Sequence, residues 1–221
     1  MIIGICGLIG SGKDTIADYL VNTHEFRRES FAGTLKDSVS AVFGWNREML
    51  EGRSKQSRDW REQVDSWWAE RLNIPDLTPR WVLQHWGTEV CRKGLHDDIW
   101  IASLENKLRT SEDNIVISDC RFPNEIDSIR RNGGKIIQVV RGEFPEWYND
   151  ALIANRGPDH NMAWATAQER IKKHKIHASE TAWIGTDFDA VLDNNGSVDQ
   201  LYKQVTDLVQ ELQVATEIQA A

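Results

Sequence analysis

Seven residues near the start of the chain, Gly7-Leu8-Ile9-Gly10-Ser11-Gly12-Lys13, carry the spacing G-x-x-x-x-G-K. That spacing suits a loop that holds phosphate. The three glycines let the backbone wrap so that successive N–H groups point inward. A helix beginning near Lys13 adds roughly half a positive charge at its N-terminus. Lys13 then brings a full charge to the β- and γ-phosphates of a nucleotide. The dinucleotide pattern G-x-G-x-x-G fails, because after Gly10 and Gly12 the third position is Thr15, too large for close helix-to-strand packing. Asp14 stands where Ser or Thr would place a hydroxyl on magnesium. An acid there suits the helix dipole but repels a polyphosphate unless a cation lies between them, so Asp14 points to metal-assisted phosphoryl transfer, with Thr15 as the nearest hydroxyl. The competing assignment is a helix-start aspartate facing solvent.

A second acid, Asp119, ends the apolar run Asn114–Ser118. An aspartate at the carboxyl end of a parallel strand sits where such sheets bind ligands, and beside a phosphate loop it serves a metal or its water shell. Its alternative is to cap the helix starting near Pro123. The segment 142–183 is rich in cations, among them Arg156, Arg170, Lys172, Lys173 and Lys175. It reads as a mobile cover over the phosphates or as a solvated helical arm.

The elements that must position these groups alternate in type. Met1–Cys6 is an Ile-rich buried strand, Asp14–Val21 a helix, Arg27–Ala32 a second strand, and Gly33–Phe43 a helix closed by Gly44. From Trp45 to Asn73 the period is helical, with Trp60, Val64, Trp67, Trp68 and Leu72 on one apolar stripe. Thr78-Pro79 marks a helix start; that helix runs through Trp81–Glu89, and Asp97-Asp98 opens another over Ile99–Leu108. Then come the strand Asn114–Asp119, the helix Glu125–Arg131, the strand Lys135–Val140, the strand Asp189–Leu192, and a closing helix Val198–Leu212 with fraying residues beyond Val214. The order implies an α/β, three-layer fold with a parallel five-stranded sheet flanked by helices.

Composition narrows the function. The 221 residues suffice for one domain with insertions, and a formal net charge of −8 leaves no basic surplus for nucleic acid. Three cysteines at unrelated spacings suggest free thiols in a reducing compartment, and no apolar run is long enough for a membrane. The expectation is a cytoplasmic protein acting on small anions.

Taken together, several motifs resemble one family. They are Gly12-Lys13-Asp14-Thr15, Phe31-Ala32-x-x-Leu35-Lys36, Gln84-x-x-Gly87-Thr88-Glu89, Asp119-x-Arg121, Val139-Val140-Arg141, His177-x-Ser179-Glu180 and Asn195-Gly196-Ser197. The chain is similar in these to the deoxynucleoside monophosphate kinases of tailed bacteriophages, in the P-loop nucleoside monophosphate kinase superfamily. The resemblance implies a single kinase domain over 1–221, with a helical substrate-binding insertion at about 45–110 and a lid-like insertion at about 142–183. It implies transfer of the γ-phosphoryl group of ATP, with Mg²⁺, to a deoxynucleoside 5′-monophosphate. ATP would lie on Gly10, Ser11, Gly12, Lys13, Asp14 and Thr15, with Asn195 and Gly196 cupping the adenine. The acceptor side would use Lys36, Arg80, Arg121 and Arg141 for phosphate, with Gln84, Trp86 and Glu89 walling the base or sugar and Asp119 also among the substrate-binding residues. Lys13, Asp14, Arg121 and Arg141 would be catalytic, and Asp14, Thr15 and Asp119 would serve the metal. A homodimer is compatible with this, as is the host cytoplasm for a phage-encoded chain. Two rivals share the loop: a kinase for dephospho-coenzyme A or a phosphomevalonate-like acceptor, and a nucleotide-dependent switch, against which the absence of an N-K-x-D guanine signature speaks.

Overall fold

A computed structural model describes residues 1–158 and 162–220. The chain divides into two compact units, one formed by Met1–Ser30 with Leu108–Ala221 and the other by Phe31–Lys107.

The first unit is built on a sheet whose strands are β1 (Ile2–Cys6), β2 (Arg27–Glu29), β3 (Ile115–Ile117), β4 (Lys135–Val140) and β5 (Ala190–Asp193). Their spatial order is β2-β3-β1-β4-β5, and every neighbouring pair is parallel. Central β1 is apolar from end to end because both of its faces are covered. On one face, Ile3, Ile5, Val116, Ile137, Val139 and Leu192 pack with Ile16 and Leu20 of the helix Lys13–Thr23 and with Leu201, Val205 and Val209 of the helix Val198–Ala220. Each such side chain contributes roughly 1.5–3 kcal/mol by leaving water. On the other face lies the helix Pro123–Arg131, admitted by Gly4. A Cβ at Gly4 would stand 2.8 Å from the terminal carbons of Ile129 and Ile136. Helices on both faces of a parallel sheet are the expected α/β layering.

Element boundaries differ from the sequence reading at several places. β2 stops at Glu29 rather than Ala32, because Phe31 already belongs to the second unit. The closing helix runs on to Ala220 instead of ending at Leu212, which overturns the frayed end expected for the described part of that stretch; Ala221 lies outside the described residues. The stretch 142–183 is helical, with Tyr148–Asn155 against Met162–His174 and a short turn Ala178–Thr181; residues 159–161 of it lie outside the described residues.

The second unit is helical. Val39, Trp45, Leu50, Ala69, Leu77 and Val82 form its core, with Leu35, Phe43, Trp60, Trp68 and Trp86 packed on them. The single stripe expected over 45–73 is corrected here. Trp60 and Trp68 face the core, but Val64, Trp67 and Leu72 are 49%, 61% and 44% exposed. The helical period restarts at each cap: Asn46 opens Arg47–Glu51, Ser54 opens Lys55–Arg61, and Asp65 opens Ser66–Leu72. Thr78 caps the next helix through Trp81 N at 3.1 Å, with Pro79 in its first turn. That helix, Pro79–Gln84, continues as a π-helical segment His85–Arg92. A π-segment widens the turn and re-aims the side chains on it, and such segments are frequent at functional sites.

Candidate active site

The loop after β1 closes on itself. Gly7, Gly10 and Gly12 have φ of +155°, +77° and +105°, a region that favours glycine. At Gly7 a Cβ would also meet Val139 O at 2.7 Å and Ser11 Oγ at 2.6 Å. Ser11 is buried, and its Oγ has no hydrogen-bond partner among the described residues. Lys13 Nζ donates to Gly7 O at 2.7 Å and to Leu8 O at 2.8 Å, spanning the loop from its helical side. Burial, and after it the charge of Arg121, pull the Lys13 ammonium below its usual pKa. A cation that has shed water and faces another cation is the electrostatic complement of a polyphosphate.

One side chain braces the loop from outside its own motif. Asn194, just past β5, donates from Nδ2 to Ser11 O at 2.7 Å, and its backbone N–H binds Val140 O at 2.8 Å. Asn195 is exposed but tied to its neighbours: its Oδ1 accepts from Gly142 N at 2.6 Å, and its Nδ2 donates to Asp193 Oδ1 at 2.7 Å. Asn194 was not among the expected residues. The signal for it was the asparagine pair at the end of a strand.

Asp14 has a partner that the sequence did not announce. Its Oδ1 is bound by the Arg28 guanidinium of β2 and by Ser118 Oγ at 3.3 Å. Arg28 also donates to Asp18 Oδ1 at 2.8 Å and to Ser118 Oγ at 2.5 Å. The Asp14 side chain is nevertheless 77% exposed while that of Arg28 is 16% exposed, so the second oxygen of Asp14 remains open to solvent. The cation required beside Asp14 is therefore supplied in part by the protein.

Beyond β3, the loop carrying Asp119 and Arg121 is held by Glu125. This buried carboxylate accepts from Arg121 N at 2.8 Å and Phe122 N at 3.1 Å through Oε2. Glu125 thus does the helix-start work considered above for Asp119. Arg121 Nη1 donates to Ser179 Oγ at 3.4 Å and Glu180 Oε1 at 3.2 Å, so the motif His177-x-Ser179-Glu180 meets Asp119-x-Arg121 beside Lys13. His177 Nδ1 accepts from Ser179 N at 3.2 Å and caps this turn. Arg141, one residue past β4, is exposed and makes no hydrogen bond or ion pair among the described residues.

The remaining expected residues lie in the second unit. Lys36 is tied to Glu51 Oε2 at 2.7 Å; Glu51, also bound by Arg47, titrates at about 2 despite its burial, through these two cations. Arg80 pairs with Glu62 at 2.8 Å on the surface. Gln84 and Glu89 are exposed on the Pro79–Arg92 helical run, with Glu89 bound to Lys93 at 2.9 Å. Trp86 turns inward, edge-on to Phe43 with ring centroids 6.4 Å apart.

Comparison with known proteins finds likenesses to one family of kinases. The deoxynucleotide monophosphate kinase family matches over residues 62–163. A protein of Acanthamoeba polyphaga mimivirus, provisionally named a deoxynucleotide monophosphate kinase, is 29% identical over 224 residues, covering 95% of this chain and 96% of its own. The chain is similar to the deoxynucleotide monophosphate kinases over residues 62–163 and, in the mimivirus protein, over nearly its whole length. The deoxynucleoside-5′-monophosphate kinase of Escherichia phage T5 is 28% identical over 59% of this chain and 72% of its own. Among solved structures, a gluconokinase from Sinorhizobium meliloti 1021 aligns over 99% of this chain and 97% of its own with 12% identity and a TM-score of 0.43, a likeness that carries no argument here. The region matched to the deoxynucleotide monophosphate kinase family contains Arg80, Gln84, Trp86, Glu89, Asp119, Arg121 and Arg141. The phosphate loop, Lys36 and Asn195 lie outside it and rest on their own geometry.

Proposed function

We propose that the chain transfers the γ-phosphoryl group of ATP to deoxynucleoside 5′-monophosphates, yielding diphosphates. The observation that carries this is the cradle itself: a loop closed by Lys13, with Arg121 and Glu180 brought to its edge. Phosphoryl transfer needs little covalent chemistry from a protein; it needs positioned phosphates and cations that meet the developing charge. Loop N–H groups and Lys13 hold the donor, and Arg121 and Arg141 serve the group in flight. Lys36, Arg80 and Asp119 serve the acceptor, with Gln84, Trp86 and Glu89 against its base or sugar. Asn195 and Gly196 line the adenine side.

The residues present fit a magnesium ion of the kind that keeps most of its waters. Among the described residues no group of three or more His, Cys, Asp and Glu could hold a metal, and Mg²⁺ in such sites takes one or two protein oxygens beside the phosphates. Thr15 and Asp119 would hold it, with the open oxygen of Asp14 reaching its water shell. When bound it neutralises charge on the β- and γ-phosphate oxygens.

The Asp14 role has its own test. Asp14→Asn is expected to lower turnover and raise the Mg²⁺ concentration needed, while metal-free ATP binding stays equal or tightens because a repulsive charge has gone. Initial rates against Mg²⁺ at fixed ATP, with binding measured in chelator, read both. An unchanged metal dependence would leave Asp14 only as the anchor of Arg28.

No helix among the described residues is long and apolar enough to cross a membrane. With the acidic composition, this supports a cytoplasmic enzyme for small molecules, as a monomer or homodimer, without a nucleic-acid partner. The deciding experiment is an acceptor panel with ATP and Mg²⁺. Phosphorylation of one or more of the four common deoxynucleoside monophosphates is expected. Turnover of dephospho-coenzyme A or phosphomevalonate in their place would overturn the acceptor class, and turnover of none would favour a switch.

A further inference from the structure

Trp100 reaches out of its own helix, Ile99–Leu108, and donates from its indole Nε1 to Gly87 O at 3.0 Å. That carbonyl lies inside the π-segment His85–Arg92, and both residues are buried. The change of register falls after His85, whose ring still stacks on Trp81 at α-helical spacing with centroids 4.8 Å apart. It persists to Lys93, whose N–H binds Thr88 O, five residues back, at 2.9 Å. Gly87 also lets the run lie close to the helix Gly33–Phe43, since a Cβ there would stand 3.0 Å from Leu35 Cδ2. Relaxing the segment to α register would carry Gly87 O away from the indole, and a buried N–H left without its acceptor is costly. The clamp therefore selects the wider turn.

The register decides which polar side chains share a face. In an α-helix five residues advance by roughly 500°, which leaves Glu89 about 140° around the axis from Gln84. Where the bonds run from i to i+5, the two return to one face. Both are exposed. We propose that Trp100 is a positioning residue for acceptor selectivity, holding Gln84 and Glu89 together as the pair that reads the base or sugar of the acceptor. This rests on the kinase reading above. An amide that donates and accepts, next to a carboxylate that only accepts, suits an acceptor edge bearing an N–H or a hydroxyl. Lys93, at 2.9 Å, offsets the Glu89 charge that would otherwise repel a monophosphate.

The test compares wild type with Trp100→Phe, which keeps a buried aromatic ring and loses the indole N–H. Amide hydrogen exchange over residues 88–93 reads the register, and KM and kcat for each of the four common deoxynucleoside monophosphates and for ATP read selectivity. Exchange there should quicken about fivefold or more. Acceptor KM should rise about tenfold for at least one monophosphate and change the ranking of the four, with kcat and KM for ATP unchanged. In a Glu89→Ala background the same substitution should no longer alter the ranking, because it acts through that side chain. Gly87→Ala, which presses on Leu35 and leaves Trp100 in place, carries the same measurements and the same expected pattern if Trp100→Phe does not fold. Unchanged exchange and ranking in a folded variant, a loss spread evenly over kcat and KM for ATP, or an undiminished effect in the Glu89→Ala background overturns the proposal. A wild-type protein that phosphorylates none of the four fails the earlier reading; quickened exchange in Trp100→Phe then still supports the clamp, and unchanged exchange overturns it.

Discussion

Lys13→Ala is expected to lower turnover by about a hundredfold or more while the protein stays folded. The magnitude follows from where the charge sits. Lys13 Nζ is held by two carbonyls of the proposed phosphate loop, in a position desolvated enough to depress its own pKa. A charge in such a place interacts with a transferring phosphoryl group far more strongly than it would in water. The fold should tolerate its loss, because among the described residues the side chain bonds only Gly7 O and Leu8 O, and the strand and helix on either side are fixed by Ile3, Ile5, Ile16 and Leu20. The measurement pairs steady-state rates at saturating substrates with a thermal melt. A folded variant turning over at near-normal rate would remove the basis of the phosphate reading.

The second large effect is expected at Arg121. Arg121→Lys retains the charge but cannot hold Ser179 and Glu180 on one side while presenting a planar pair of donors to phosphate oxygens on the other. A fall in kcat of roughly tenfold or more is expected, with Arg141→Lys in the same direction. Stability should hardly move. The Arg121 and Glu180 pair is partly exposed, at 46% and 20%, and such pairs are worth about 0–1 kcal/mol. Rates and melting temperatures of both variants separate the roles: full activity in both would return these arginines to ordinary surface work, and a large loss of stability would make Arg121 a structural tie.

Much of the architecture was legible because the signals were local. An Ile-rich run into a glycine loop, a strand ending in Val139-Val140-Arg141, and Thr78-Pro79 at a helix start each state their structure within a few residues. The errors came where caps and distant partners decided the outcome. Asn46, Ser54 and Asp65 cut 45–73 into three helices, and no periodicity count over the whole stretch shows that. The π-segment at His85–Arg92 is a change of hydrogen-bond register with no compositional mark. At the site, the loop itself was legible, but its braces were not. Arg28 meets Asp14, Glu125 meets the Arg121 backbone, and Asn194 meets Ser11 across 183 positions of sequence. Side chains that meet only after the sheet has formed leave no spacing to read.

The central place of β1 in the sheet fixes when the loop becomes usable. Its partners are β3 and β4, through pairings such as Ile2 with Ile115 and Ile3 with Lys135, and the Asn194 brace comes later still. As the chain leaves the ribosome, β1 is made before both of its sheet neighbours, and the whole second unit, Phe31–Lys107, separates it from the nearer of them. Capacity to bind nucleotide therefore waits for β4 and the Asn194 brace, and nascent chains stalled before β5 should not be rescued from proteolysis by ATP.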